Sequence, residues 1–207
     1  MRYDSEHKAR TRERVLKEAA KAIRIEGADR MAVATVMNRA GLTHGGFYAH
    51  FKSKDDLLGE AVRYMFDERY GRFLEGEGDD PAATLRRFVD AYMSMLHRGS
   101  LAKGCPVPIL AGQIHRLPEA AQTRFADAID RLVGRVADLL ERLGLKAVVA
   151  HARAASVLAQ MVGTVALSRA YPDERAAALL ENARISATRD LLGDVTGADA
   201  GGSGGAA

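Results

Sequence analysis

The twelve residues THGGFYAHFKSK, positions 43–54, decide how this chain is read. Gly45 and Gly46 stand side by side where the flanking pattern calls for a helix, and each interior helical glycine costs about 0.5–1 kcal/mol relative to alanine. Phe47, Tyr48 and Phe51 follow, in a chain only 6% aromatic, interleaved with His50, Lys52 and Lys54. Two glycines beside Tyr, His and Lys describe a short helix whose backbone is kept open to close approach from outside. Phe47 and Phe51 suit a small core on which that helix is seated.

Outward from this stretch, glycines, prolines and capping residues divide the chain into helical segments. The first is expected over residues 11–26, with Val15, Leu16, Ala19, Ala20 and Ile23 at helical spacing and Gly27 ending it. A short segment, Val33–Ala40, is closed by Gly41, and the quoted stretch supplies a second, about Thr43–Phe51. Ser53 then precedes Lys54, Asp55 and Asp56, an N-cap with acidic residues in the first turn, opening a helix to about Leu74. GEGDDP, residues 76–81, is a break with Pro81 placed for a first helical turn. Further helices are expected near 82–98, 106–115, 119–142, 146–170 and 173–192, with a loop at SLAKGCP (100–106). There is no strand alternation and no internal repeat, so the fold class is all-α. An N-terminal helix-turn-helix domain is expected over residues 1–54, with a linking helix beginning near 53. A larger helical domain for ligand binding and dimerisation is expected over 55–192. Residues 193–207, which include GADAGGSGGAA, read as a disordered tail.

The charge is unevenly placed. Residues 1–54 hold twelve Lys and Arg against six Asp and Glu, a local charge of +6, which leaves −3 for residues 55–207 of a chain that is +3 overall. A basic quarter on a mildly acidic body points to a polyanionic partner. The start, MRYDSEHKARTRER, lacks the apolar core of a signal peptide, and the longest uncharged stretch, Ala154–Leu167, is too short to cross a bilayer. A lone Cys105 permits no intramolecular disulfide. These features lead to the expectation of a cytoplasmic protein.

Helix, short helix, tight turn, short helix is a helix-turn-helix arrangement. With Thr43–Phe51 as the recognition helix, the glycines admit bases and phosphates to the backbone, and Tyr48, His50 and Lys54 offer donors to phosphate oxygens. The stretch from about Arg12 to Ala61 also resembles the DNA-binding domain of the TetR family of bacterial transcriptional regulators. The matching features are Arg-x-x-Val-Leu-x-x-Ala from Arg12, Gly27, Val33–Ala40, Gly41-Leu42 and THGGFYAHFKSKDDLL. The resemblance implies that Thr43, His44 and Gly45, next to Gly46, meet base edges and that Tyr48, His50, Lys52 and Lys54 hold phosphates, with Thr35 a further candidate on the preceding helix. It implies a ligand-responsive repressor of operator DNA. The chain departs from the family at Met31-Ala32, where Thr-Ser or Thr-Thr usually caps the second helix and touches a phosphate.

A helix-turn-helix unit of this size reads one half-site, so a homodimer is expected. The last two helices are its candidate surface, with a small-residue face of Ala176, Leu179, Leu180, Ala183 and Ala187. A cavity for a small hydrophobic effector is expected among Phe66, Tyr92, Ile109, Gln113, Phe125, Ile129, Gln160, Met161 and Thr164, with Gln113, Gln160 and Thr164 as its polar groups. Two alternatives stand beside this reading: a repressor that senses oxidants or electrophiles through Cys105, and an architectural protein that coats DNA without sequence preference. No cofactor and no metal site are expected, because the six histidines show no ligand spacing and one cysteine makes no thiolate site. No phosphate loop or nucleophile elbow is present, and His97, Cys105 and His115 are scattered, so an enzyme is not expected.

Overall fold

The computed structural model of the protein describes residues 2–76 and 80–193, with side chains from Glu6 onward. Among the described residues all regular structure is helical. The expected tail beyond Gly193 lies outside the described residues.

The described residues divide into two compact units, one formed by residues 2–71 and 100–129, the other by 72–76, 80–99 and 130–193. In the first unit, α1 (Arg2–Glu26) packs on α2 (Val33–Arg39), which packs on a 3₁₀ helix, His44–Ala49. Gly27 and Gly41, at φ +90° and +73°, turn the chain after α1 and α2 in the left-handed region that other residues enter at a cost. Then α3 (Lys54–Leu74) begins where expected. The Asp56 amide donates to Ser53 Oγ at 3.1 Å and the Asp56 carboxylate accepts from the Lys52 amide at 2.9 Å, so each side chain satisfies a backbone donor that the helix start would leave unpaired. Val15, Ala19 and Ile23 of α1, Val36 and Met37 of α2, Phe47, Phe51, and Leu57, Ala61 and Met65 of α3 are all buried, a continuous core under the two short helices.

The extent of this unit differs from the expected domain at 1–54. The early turns of α3 carry the core positions that close the helix-turn-helix, and residues 100–129 join them. Arg24, buried on α1, donates to the carbonyls of Met65 (3.2 Å) and Ala102 (2.9 Å) and to Glu68 (3.0 Å). Phe66 meets Phe125 edge to face at 5.8 Å. The segment expected as one helix over 106–115 is α6 (Val107–Leu110) followed by a 3₁₀ turn at Ile114–Arg116. The α-helix stops at Leu110, ahead of Gly112, and the Gln113 amide donates to the Leu110 carbonyl at 2.8 Å as the chain turns into the 3₁₀ segment.

In the second unit, α4 (Pro81–Tyr92) is capped by Asp80, whose carboxylate accepts from the Ala82 and Ala83 amides. The helix expected over 82–98 stops at Tyr92, and α5 (Met95–Gly99) restarts it. Ser94 Oγ accepts the His97 amide at 3.1 Å, an N-cap in the middle of an apolar run. Of the remaining helices, α7 (Glu119–Arg142) crosses the boundary between the units at Ile129, and α8 (Ala147–Ser168) and α9 (Asp173–Leu192) pack against each other, with α4 and α5 on α9. Arg98 fixes the turn between α8 and α9, donating to the carbonyls of Ser168 (3.0 Å) and Tyr171 (2.6 Å) and pairing with Asp173 (2.8 Å). At 22 residues α8 is long and apolar enough by length and composition to cross a membrane, contrary to the shorter span read from its uncharged stretch. One face of it is nevertheless packed, with Ala150, Ala154, Val157, Leu158, Met161 and Val165 buried.

Candidate nucleic-acid interface

The recognition segment is built from the inside out. Phe47 and Phe51 are buried and stack at 5.7 Å between centroids, anchoring the 3₁₀ helix to the core of the first unit. Tyr48 lies edge-on to Phe47 at 5.2 Å yet remains 74% exposed, which leaves its hydroxyl in solvent. Thr43, His44 and Gly45 are exposed, as are Lys52 and Lys54. Thr43 has the extended geometry of an N-cap (φ −77°, ψ 151°), and its hydroxyl makes no capping bond. The segment therefore presents uncommitted side chains on one short, well-anchored stretch.

The paired glycines have no cause within the chain. Neither lies at positive φ. A Cβ added at Gly45 would meet no atom within 4 Å, and one at Gly46 would make ordinary contacts at 3.9 Å with Met37 and Thr43.

His50 is half-buried beside Phe51, and its Nδ1 is buried with no hydrogen-bond partner among the described residues. Burial first, and then the charges of Lys8 and Arg12, hold its pKa below the ordinary histidine value. The sequence reading gave Arg12 no role of its own. It lies over the Phe51 ring at 4.7 Å and pairs with Glu60 at 3.0 Å, and Glu60, itself buried, also pairs with Arg63 (2.9 Å) and Arg124 (2.7 Å). Burial pushes the Glu60 carboxyl up, but the Arg12 hydrogen bond and the charges of Arg63 and Arg124 outweigh it and leave the pKa lowered. The available signal was spacing: Arg12 sits three and four residues before Val15 and Leu16, on their buried stripe.

On α2, Thr35 is exposed. Ala32 has N-cap geometry (φ −99°, ψ 125°) without a side-chain bond, and Met31 is buried in the core. The cap that Met31-Ala32 removes is thus absent, as the sequence implied.

The effector candidates divide between the units. Phe66 and Phe125 are buried and Ile109 and Ile129 half-buried in the first unit, and Tyr92 and Met161 are buried in the second. The three polar candidates do not line a buried cavity. Gln113 is exposed, Gln160 is exposed and donates to Ser186 at 3.3 Å, and Thr164 spends its hydroxyl on the Gln160 carbonyl at 2.8 Å. Their polarity reflects the outer faces of their elements. Cys105 is fully buried, with its Sγ accepting the Val107 amide at 3.4 Å, so the thiol is closed to solvent in this conformation. His97 is buried with Nδ1 at 2.6 Å from the Tyr92 carbonyl, and His115 is exposed. Among the described residues no group of three His, Cys, Asp or Glu side chains could hold a metal ion.

The small-residue face of α9 serves the chain's own core: Ala176, Leu180 and Ala187 are buried, with Leu179 and Ala183 half-buried. The exposed apolar residues of the two last helices are instead Val148, Val149, Leu167 and Ile185. An open groove of about 760 Å³ is lined in part by Val148, Val149, Ser156, Gln160 and Arg189.

Two family models match the chain. One, described as bacterial regulatory proteins of the tetR family, covers residues 15–61; the other, the C-terminal domain of LmrA/YxaF-like transcriptional regulators, covers residues 81–183. An uncharacterized HTH-type transcriptional regulator of Mycobacterium tuberculosis is 29% identical over 170 residues, spanning 78% of this chain and 86% of its own. Among solved structures, Escherichia coli NemR in its reduced form is similar with a TM-score of 0.75 at 16% identity, over 87% of this chain and 97% of that one. A TetR transcriptional regulator from Chloroflexus aurantiacus is similar with a TM-score of 0.72 at 26% identity, over 88% and 94%.

Proposed function

Given that the chain belongs to the TetR family and is a DNA-binding transcriptional regulator, we propose that it is a cytoplasmic, homodimeric repressor released from its operator by a small hydrophobic effector. Thr43, His44 and Gly45 read base edges in the major groove. Tyr48, His50, Lys52 and Lys54, with Thr35 on α2, hold the flanking phosphates. The observation that carries this reading is the glycine pair. Gly45 and Gly46 have neither a conformational nor a steric cause inside the protein, so their helical cost is accounted for by a surface that comes close from outside. An exposed Tyr48 hydroxyl and two exposed lysines next to them fit a phosphate backbone.

The second copy docks through α8 and α9, whose exposed Val148, Leu167 and Ile185 favour a protein partner over solvent. The effector occupies the apolar interior of the helical body rather than a polar pocket, which favours a largely hydrocarbon or aromatic compound. Binding of such a compound lowers operator affinity only insofar as it prefers the conformation that does not fit DNA.

Fluorescence anisotropy tests this reading directly. Wild-type protein is titrated with an operator found by random-sequence selection and challenged with unrelated duplex. Competitor-resistant binding, lost in part in Tyr48→Phe and with relaxed base preference in His44→Ala, is the expected outcome. Each lost base contact is worth about 1–3 kcal/mol. Selection that enriches no sequence would leave only a coating protein.

A further inference from the structure

We propose that the first three turns of α1 add a second phosphate-gripping surface, on which Lys8 and Arg12 converge with His50 on the backbone flanking the recognition segment. The proposal rests on the DNA-binding reading above and extends it beyond the helix-turn-helix.

Four observations meet at this place. First, α1 starts at Arg2, nine residues before the helix expected from apolar spacing, and residues 6–10 are exposed throughout. Packing therefore gives no reason for the turn at residues 6–10. Second, Arg12 is immobilised on both sides, by Glu60 at 3.0 Å and by the face of Phe51 at 4.7 Å, while its side chain keeps 31% exposure. A guanidinium carries five donors in a fixed fork, more than one carboxylate contact uses, and a preset fork suits a phosphate. Third, three arginines (Arg12, Arg63 and Arg124) surround the single carboxylate of Glu60, leaving the cluster in cationic excess. Fourth, the buried Nδ1 of His50 has no hydrogen-bond partner among the described residues, and the cations bearing on that ring are Lys8 and Arg12, both from α1.

These four share one explanation. Without DNA, burial first and then the charges of Lys8 and Arg12 disfavour the protonated His50 ring. A phosphate brought among the three screens that repulsion, offers an acceptor to the imidazolium, and makes the protonated ring the favoured state. DNA binding then takes up a proton. Since the histidine pKa is lowered in the free protein and raised in the complex, affinity rises as pH falls through the interval between the two. It is flat above the bound value and flat again below the free one.

Because phosphate contacts are independent of sequence, the test needs no operator. Full-length protein is titrated with a fluorescein-labelled duplex of random sequence, and with the selected operator, over about 50–200 mM salt. Lys8→Ala, at an exposed position, is expected to reduce the slope of log K against log salt by about one on both duplexes, and Lys8→Arg to restore it. His50→Gln is expected to abolish the gain in affinity between about pH 8 and pH 6, whereas His115→Gln, at an exposed position outside the DNA-binding surface, retains it. Unchanged slopes in both Lys8→Ala and Arg12→Gln, with thermal melting confirming that each is folded, would overturn the proposal and make the start of α1 a solvated face. A reduced slope in a protein that does not distinguish operator from random duplex would leave this surface standing and remove base reading by Thr43 and His44.

Discussion

An alanine at position 45 finds room within the protein, since its Cβ meets no atom within 4 Å and the backbone there is not left-handed. Gly41 has the same empty surroundings but sits at φ +73°. The two positions therefore separate what glycine does for the fold from what it does for DNA. Gly45→Ala is expected to leave thermal stability unchanged or raise it by up to about 1 kcal/mol, and to weaken operator binding roughly tenfold, about 1.4 kcal/mol. Gly41→Ala is expected to destabilise by about 1–2 kcal/mol while binding operator with undiminished affinity once folded. Melting curves and anisotropy on the two variants give the comparison. An equal loss of DNA affinity in both would return the glycine pair to a role in the fold.

At the level of elements, α2 and α3 start in opposite ways. At the head of α3, Ser53 and Asp56 each satisfy a backbone amide. Ala32 holds N-cap geometry and its carbonyl already accepts the Val36 amide at 3.1 Å, but its methyl offers no acceptor. Ser53→Ala is expected to cost about 1 kcal/mol by chemical denaturation, and Ala32→Ser to add about 0.5–1 kcal/mol. Ala32→Ser also places a hydroxyl where the family pattern has one, so a gain in nonspecific DNA affinity is expected alongside the gain in stability. These elements were largely legible in sequence because glycine, proline and capping residues act locally: Gly27, Gly41, Ser53, Pro81, Gly144 and Pro172 each mark a junction close to where the chain turns. The break at Ser94 was also written, as an N-cap residue, but the apolar spacing on either side overrode it. The start of α1 was not legible, because residues 6–10 have helix formers without a buried stripe. The exposure of the polar effector candidates was not legible for a related reason. A Gln or Thr on an apolar helix does not say which face it occupies, and Gln160 and Thr164 point outward.

For the whole molecule, the question is how one chain's short reading segment gains operator affinity. One half-site offers few base edges, and a second copy converts the next half-site into an intramolecular encounter. In the reading proposed above, that copy sits on the exposed residues of α8 and α9. Val148, Leu167 and Ile185 are 84%, 62% and 54% exposed, while the small residues of α9 are already taken by the chain's own core. Exposed apolar side chains stand on both helices, and Val148 and Val149 also line a groove of about 760 Å³, so these helices present a surface to be covered. Replacing Leu167 and Ile185 together by Glu puts a carboxylate at an exposed apolar position on each helix, where burial without a partner is prohibitive. The double variant is expected to sediment as a monomer with unchanged helix content, since neither side chain belongs to the buried core. Its operator affinity is expected to fall by roughly a hundredfold, the lower end of what linking two readers gains. The salt slope per chain should persist, because Lys8, Tyr48, Lys52 and Lys54 are untouched. A double variant that still sediments as a dimer would move the interface to another face and leave the exposed apolar residues of α8 and α9 for a different partner.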